Sequence, residues 1–118
     1  MGYYSDVRIR TTKKGYEVMK KEVEKFLENK PGYDNLLNAY FTKTNINGEV
    51  VTIDFEDVKW YEHFIDVMAI TNSLKVLDEQ GIDYQYIRIG EDVDDVEEIW
   101  QVNNDSFESF SVIRKFSD

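Results

Sequence analysis

Thr44-Asn45-Ile46-Asn47-Gly48-Glu49-Val50-Val51-Thr52-Ile53-Asp54-Phe55 is the stretch from which the rest of the chain can be placed. Asn47-Gly48 is the strongest short hairpin signal, because both positions tolerate positive φ. The flanking runs, about 37–44 and 49–55, read as its two strands. Val51, Ile53 and Phe55 share one face, as Ala39 and Phe41 do on the partner strand. Beyond Phe55 the parity changes, and Val58 and Trp60 become the apolar alternates. A bulge near Glu56-Asp57 accounts for this and carries the strand on to Tyr61; a second helix starting near Val58 is the alternative.

Upstream, Val7 and Ile9 alternate with Asp6, Arg8 and Arg10, which predicts a half-buried strand over 3–11. Thr12 can then cap a helix over 13–29, whose stripe is Tyr16, Met19, Val23, Phe26 and Leu27. Lys30-Pro31-Gly32 ends it, since proline cannot extend a helix. Downstream, Phe64, Val67, Met68, Leu74 and Leu77, with Thr71 between, predict a helix over 64–80 that stops at Gly81. Residues 84–89 alternate as a strand, with Gln85, Ile87 and Ile89 against Tyr84, Tyr86 and Arg88. After that two readings stand. Val93, Val96 and Trp100 fit a short helix, whereas 99–103 and 107–116 fit a terminal hairpin around Asn104-Asp105, with a last strand near 107–114 in either case. The order is the split βαβ plan: an α+β, ferredoxin-like βαββαβ two-layer sandwich with an extra C-terminal strand or hairpin. Two helices cover one sheet face and the other is expected to stay open.

The chain of 118 residues leaves room for one domain, 1–118. Lys and Arg number 14 against 24 Asp and Glu, a formal net charge of −10. That balance argues against direct nucleic-acid binding, which needs cations to displace counterions. The imbalance is uneven: residues 1–48 carry +3 and residues 49–118 carry −13. There is no cysteine, so disulfides, thiol nucleophiles and cysteine-ligated zinc are excluded. No apolar run suits a signal peptide or a membrane span, which makes a cytoplasmic protein the expectation.

Glu91-Asp92-Val93-Asp94-Asp95-Val96-Glu97-Glu98 holds six acids in eight residues. An EF-hand fails here: with Asp92 and Asp94 as first and third ligands, Glu97 stands where glycine is required. No metal and no cofactor are therefore assigned. Set beside Asp54, Glu56, Asp57, Glu62 and Asp66, the run suggests a surface of carboxylates that imitates a row of phosphates and occupies a basic groove on another protein. Trp60, Tyr61, Tyr84 and Tyr86 are candidate aromatic anchors, though each can equally be a packed sheet residue. The partner-binding set expected from this reading is Asp54, Glu56, Asp57, Trp60, Tyr61, Glu91, Asp92, Asp94 and Asp95. His63 has no Gly-x-Ser-x-Gly elbow to serve, and no glycine-rich phosphate loop exists, so no catalytic residue is assigned. An RRM-type RNA site is opposed by the acids of the third strand, Glu49, Asp54 and Glu56.

The segments Gly2-Tyr3-Tyr4-Ser5-Asp6-Val7, Val58-Lys59-Trp60-Tyr61 and Tyr86-Ile87-Arg88-Ile89-Gly90-Glu91-Asp92 resemble small uncharacterised proteins of phages and prophages of Gram-positive bacteria. The resemblance implies no catalytic residues. It implies a context, since accessory proteins of this size are often inhibitors of host machinery, anti-defence proteins among them. The functional expectation is a non-catalytic module that binds a host protein, one that itself handles nucleic acid. The alternatives are a small enzyme or ligand-binding domain using the open sheet face, and a homodimer formed through an exposed strand edge.

Overall fold

The computed structural model describes residues 3–92, 94–102, 106–107, 111–112 and 116–117. Its elements are β1 (Ser5–Thr12), α1 (Lys13–Leu27), β2 (Thr42–Asn47), β3 (Val50–Val58), α2 (Ile65–Glu79), β4 (Tyr84–Ile89) and β5 (Val96–Gln101). A two-residue ladder of β6 (Ser111–Val112) with β7 (Phe116–Ser117) stands apart. The main sheet is antiparallel throughout, in the order β2-β3-β1-β4-β5. This is an α+β fold with two helices packed together over one face. The order βαββαββ places an extra C-terminal strand in the main sheet, as β5 paired to β4, so the topology is not a strict ferredoxin one. No helix among the described residues is long and apolar enough to cross a membrane.

Local chemistry explains most boundaries. The Thr12 hydroxyl accepts the Gly15 N–H at 3.0 Å and starts α1. At the end of α2 the Gly81 and Ile82 N–H groups donate to the Asp78 and Leu77 carbonyls, the paired bonds of a Schellman stop. The hairpin turn sits one residue later than expected: Asn47 pairs with Val50, and the loop is Gly48-Glu49. Gly48 has φ +64° at the first loop position, the pattern of a type II′ turn. The strand before it is shorter than expected. Leu36–Asn38 forms a 3₁₀ turn capped by the Asn35 side chain, so Ala39 and Phe41 precede β2 rather than lie on it.

The expected bulge is present, though β3 ends at Val58 rather than Tyr61. Ser5 pairs with Val58 and Val7 with Phe55, so β3 carries one extra residue there. Asp57 takes φ +53°, and its N–H donates to the Asp6 carboxylate at 2.8 Å. The C-terminal ambiguity resolves toward strand, since 96–101 is β5 and no helix forms there. The proposed turn at Asn104-Asp105 lies outside the described residues.

Register sorts the side chains. Val7, Ile9, Val51, Ile53, Phe55, Tyr84 and Tyr86 point to the helices and pack on Met19, Val23, Val67, Ile70, Leu74 and Leu77. Met68 and Thr71 fall outside this stripe and are exposed, because α2 is rotated to seat Ala69, Ile70 and Ser73. The opposite face is not open at its centre: Arg8, Gln85 and Ile87 are buried there. β4 is thus buried on both sides.

Candidate functional site

Antiparallel pairing brings the start of β1 beside the ends of β3 and β4, because Ser5 faces Val58 and Asp6 faces Ile89. Neighbouring strands lie about 4.8 Å apart, so the β3 and β4 ends flank β1 within about 10 Å. Residues 3–6, at and just before the start of β1, tie them together. Asp6 accepts the Asp57 N–H, the Tyr4 N–H donates to the Glu91 carboxylate, and the Tyr3 hydroxyl accepts the Asp92 N–H at 3.0 Å. The acidic turns from two separated parts of the sequence therefore meet along one rim. Glu56, Asp57, Glu91, Asp92 and Asp94 are exposed on it. Lys59 is also there, 5.8 Å from the Tyr4 ring centre.

Other carboxylates of the expected set are already engaged. Asp54 lies on the face away from the helices and takes a two-bond contact from Arg8, with Nε at 2.6 Å and Nη2 at 3.0 Å. Glu56 lies 3.5 Å from Lys43, both chains well exposed, which makes a weak pair. Asp95 turns inward to Arg88, at 2.7 Å and 3.1 Å, and accepts the Tyr3 hydroxyl at 2.6 Å. Arg88 also reaches the Ser5 hydroxyl at 3.1 Å and the Glu97 carboxylate at 3.4 Å. These contacts hold the Asp95 carboxyl down at about 2, mainly through the Arg88 bond and then the Tyr3 bond. The same Asp95 bond holds Arg88 above its ordinary value.

Trp60 is not a surface anchor. It is 7% exposed, packs 5.1 Å from Phe55 ring to ring, and donates its indole N–H to the Tyr86 hydroxyl at 3.0 Å. Tyr86 in turn donates to Glu97 at 3.0 Å. Burial, then the Glu97 charge, raises the Tyr86 pKa; burial and an Asp78 bond push Tyr84 up to about 12. Tyr61 is half-buried, accepts the Tyr3 N–H at 2.6 Å, and stacks on His63 at 5.9 Å. Of the expected anchors, only Tyr61 reaches the surface near the rim.

Sequence reading missed the organiser of this end, Arg88. It shares parity with Tyr84 and Tyr86, so the strand points it toward the helix side, where a cation requires carboxylates. That was the available signal. Gly90 was missed as well: a Cβ there would run into the Asp95 carboxylate and the Tyr3 hydroxyl, so glycine leaves room for their bond.

Under the rim, a cleft of about 970 Å³ runs between α2 and the β4–β5 edge, with Tyr61, His63, Lys75, Tyr86, Arg88 and Ile99 in its wall. Its Arg88, Tyr86, Asp95 and Glu97 groups are bonded to one another, so they do not form a convergent free set for a small ligand. Among the described residues, no group of three or more His, Asp or Glu side chains is placed to hold a metal ion. No protein-family model, no curated protein and no solved structure matches the chain.

Proposed function

We propose that this chain is a non-catalytic protein-binding module that docks its acidic rim on a basic surface of a partner. The supporting observation is the meeting of the 56–57 and 91–94 turns, stitched by Tyr3, Tyr4 and Asp6, with Glu56, Asp57, Glu91, Asp92 and Asp94 left exposed. Carboxylates fixed on a rigid edge steer and select a cationic partner without reorganising. Asp54, Asp95 and Trp60 serve the scaffold in this reading, and Tyr61 is the aromatic at the rim's border.

The partner class is a nucleic-acid-handling protein whose phosphate-binding groove the rim occupies, in the cytoplasm of a bacterial host. The architecture under this reading is a ferredoxin-like unit, β2-β3-β1-β4 with two helices, extended by β5. The test is affinity capture from a Gram-positive lysate, followed by elution with salt or with duplex DNA. Both should release the partner, since at about 1 M salt charges are screened beyond about 3 Å. Capture that persists in high salt and ignores DNA contradicts the reading.

A further inference from the structure

β5 closes the sheet on one side, and among the described residues nothing pairs with its outer edge. The bond from the Gly90 N–H to the Asp95 carbonyl fixes the alternation along the β4–β5 ladder. Residues 97, 99 and 101 therefore aim their backbone groups at β4, while Glu98 and Trp100 aim theirs outward; the Val96 N–H already donates to the Asp94 carbonyl at 3.1 Å. The side chains on this strand are unusually bare for a protein edge. Val96 is 45%, Ile99 48% and Trp100 56% exposed. Edges are ordinarily protected by charged side chains, lysine above all, by proline, a bulge or brevity, and the Glu97-Glu98 pair on β5 guards against an acidic strand but not a basic one. β5 has six residues and no lysine, arginine or proline. The opposite edge, β2, does carry Lys43, its second residue, and is mostly Thr and Asn.

We propose that β5 accepts an extended, basic segment of a partner protein as a sixth strand. The inference rests on the protein-binding reading for the existence of a partner, but it uses a different surface from the rim. Backbone groups of 98 and 100 supply the ladder, and alternate side chains find Ile99 beside the cleft or Val96 and Trp100 on the other face. Charge selects the segment: Glu98, exposed on the face away from the cleft, meets a cationic residue of that parity, whereas Glu97 on the cleft side is already engaged by Arg88 and Tyr86. A second copy of this chain, itself at −10 overall, would set its own Glu97 and Glu98 against these glutamates if it paired edge to edge.

The probe is a ten-residue peptide alternating lysine and threonine, with a glutamate–threonine peptide as control. Amide hydrogen exchange by NMR should slow about tenfold or more at Glu98 and Trp100 with the lysine peptide alone. Glu98→Pro should abolish that protection, because it removes an outward N–H while leaving the β4 ladder intact; Glu98→Gln should keep it, weakened. Ile99→Lys, which leaves the backbone untouched, should also abolish it. Equal protection by both peptides, or lysine-peptide binding with unchanged β5 amides, overturns the proposal. So does protection that appears without peptide as a dimer forms by light scattering. If Glu98→Pro still captures the lysate partner in a DNA-sensitive way, the edge inference falls and the rim reading stands. If the lysine peptide docks on β5 but no partner is captured, the rim reading falls alone.

Discussion

Two groups of carboxylates sit within a few residues of each other and have opposite fates. Asp95 folds inward onto Arg88 and Tyr3, and Glu97, though still exposed, is tied to Arg88 and Tyr86. Glu91, Asp92 and Asp94, from the same acidic run, stay at the surface beside Glu56 and Asp57. Composition does not distinguish them. Strand parity does: 95 and 97 share the side of the ladder on which Arg88 lies, whereas among the described residues Glu56 has only the weak Lys43 contact and Glu91, Asp92 and Asp94 have no ion pair. Acidic density alone is therefore a poor guide to an interface, and the informative fraction is what remains after internal pairing.

The contrast predicts that the inward group governs stability. Arg88→Ala leaves two carboxylates uncompensated in a partly buried site and should cost about 2–3 kcal/mol in urea unfolding, below the roughly 3–5 kcal/mol of fully buried pairs because Asp95 and Glu97 keep some water. A loss indistinguishable from zero would mean the Arg88 cluster is ornamental. Gly90→Ala forces Asp95 and Tyr3 apart and should cost about 2 kcal/mol by overpacking, again in urea. Asp57→Val, at φ +53°, should cost about 1–2 kcal/mol in thermal or urea melts, whereas Asp57→Gly should cost nothing measurable.

The sharpest pH signature belongs to Asp95. Its folded carboxyl titrates near 2 against an ordinary value of 3.8, so its contribution is complete above that ordinary value. It is lost as pH falls through about 2. Wild-type stability should therefore exceed that of Asp95→Asn at pH 6, with the gap closing as acid unfolding curves are taken from pH 4 toward 2. A constant gap across that window contradicts the assignment.

Much of this was legible in the sequence. The Thr12 cap, both helices, the 84–89 strand and the bulge at 56–57 follow from spacing and parity, which are local properties. The beginning of β2 was not, because Asn35 captures the Leu37 N–H and turns 36–38 into a 3₁₀ segment despite the alternating apolar pattern. β5 was ambiguous because 93–100 satisfies helical and extended periods alike; pairing with β4, a non-local event, decides it. For the site, the acidic turns were readable, but which acids remain free was not. Arg8 and Arg88 reach Asp54 and Asp95 through registers that no single stretch encodes. Trp60 failed as an anchor for a similar reason: its partner, the Tyr86 hydroxyl, arrives from another strand.

The most direct test compares two triple variants that shift net charge equally. One reverses rim acids (Glu56→Lys, Asp92→Lys and Asp94→Lys). The other reverses exposed acids toward the far end of the sheet and helices (Glu17→Lys, Glu49→Lys and Glu79→Lys). Both should unfold within about 0.5 kcal/mol of wild type, as surface changes usually do. In side-by-side capture from the same lysate, the rim variant should lose the partner and the far-end variant should retain it. Equal loss in both, or retention by the rim variant, would contradict the claim that the rim is the binding surface.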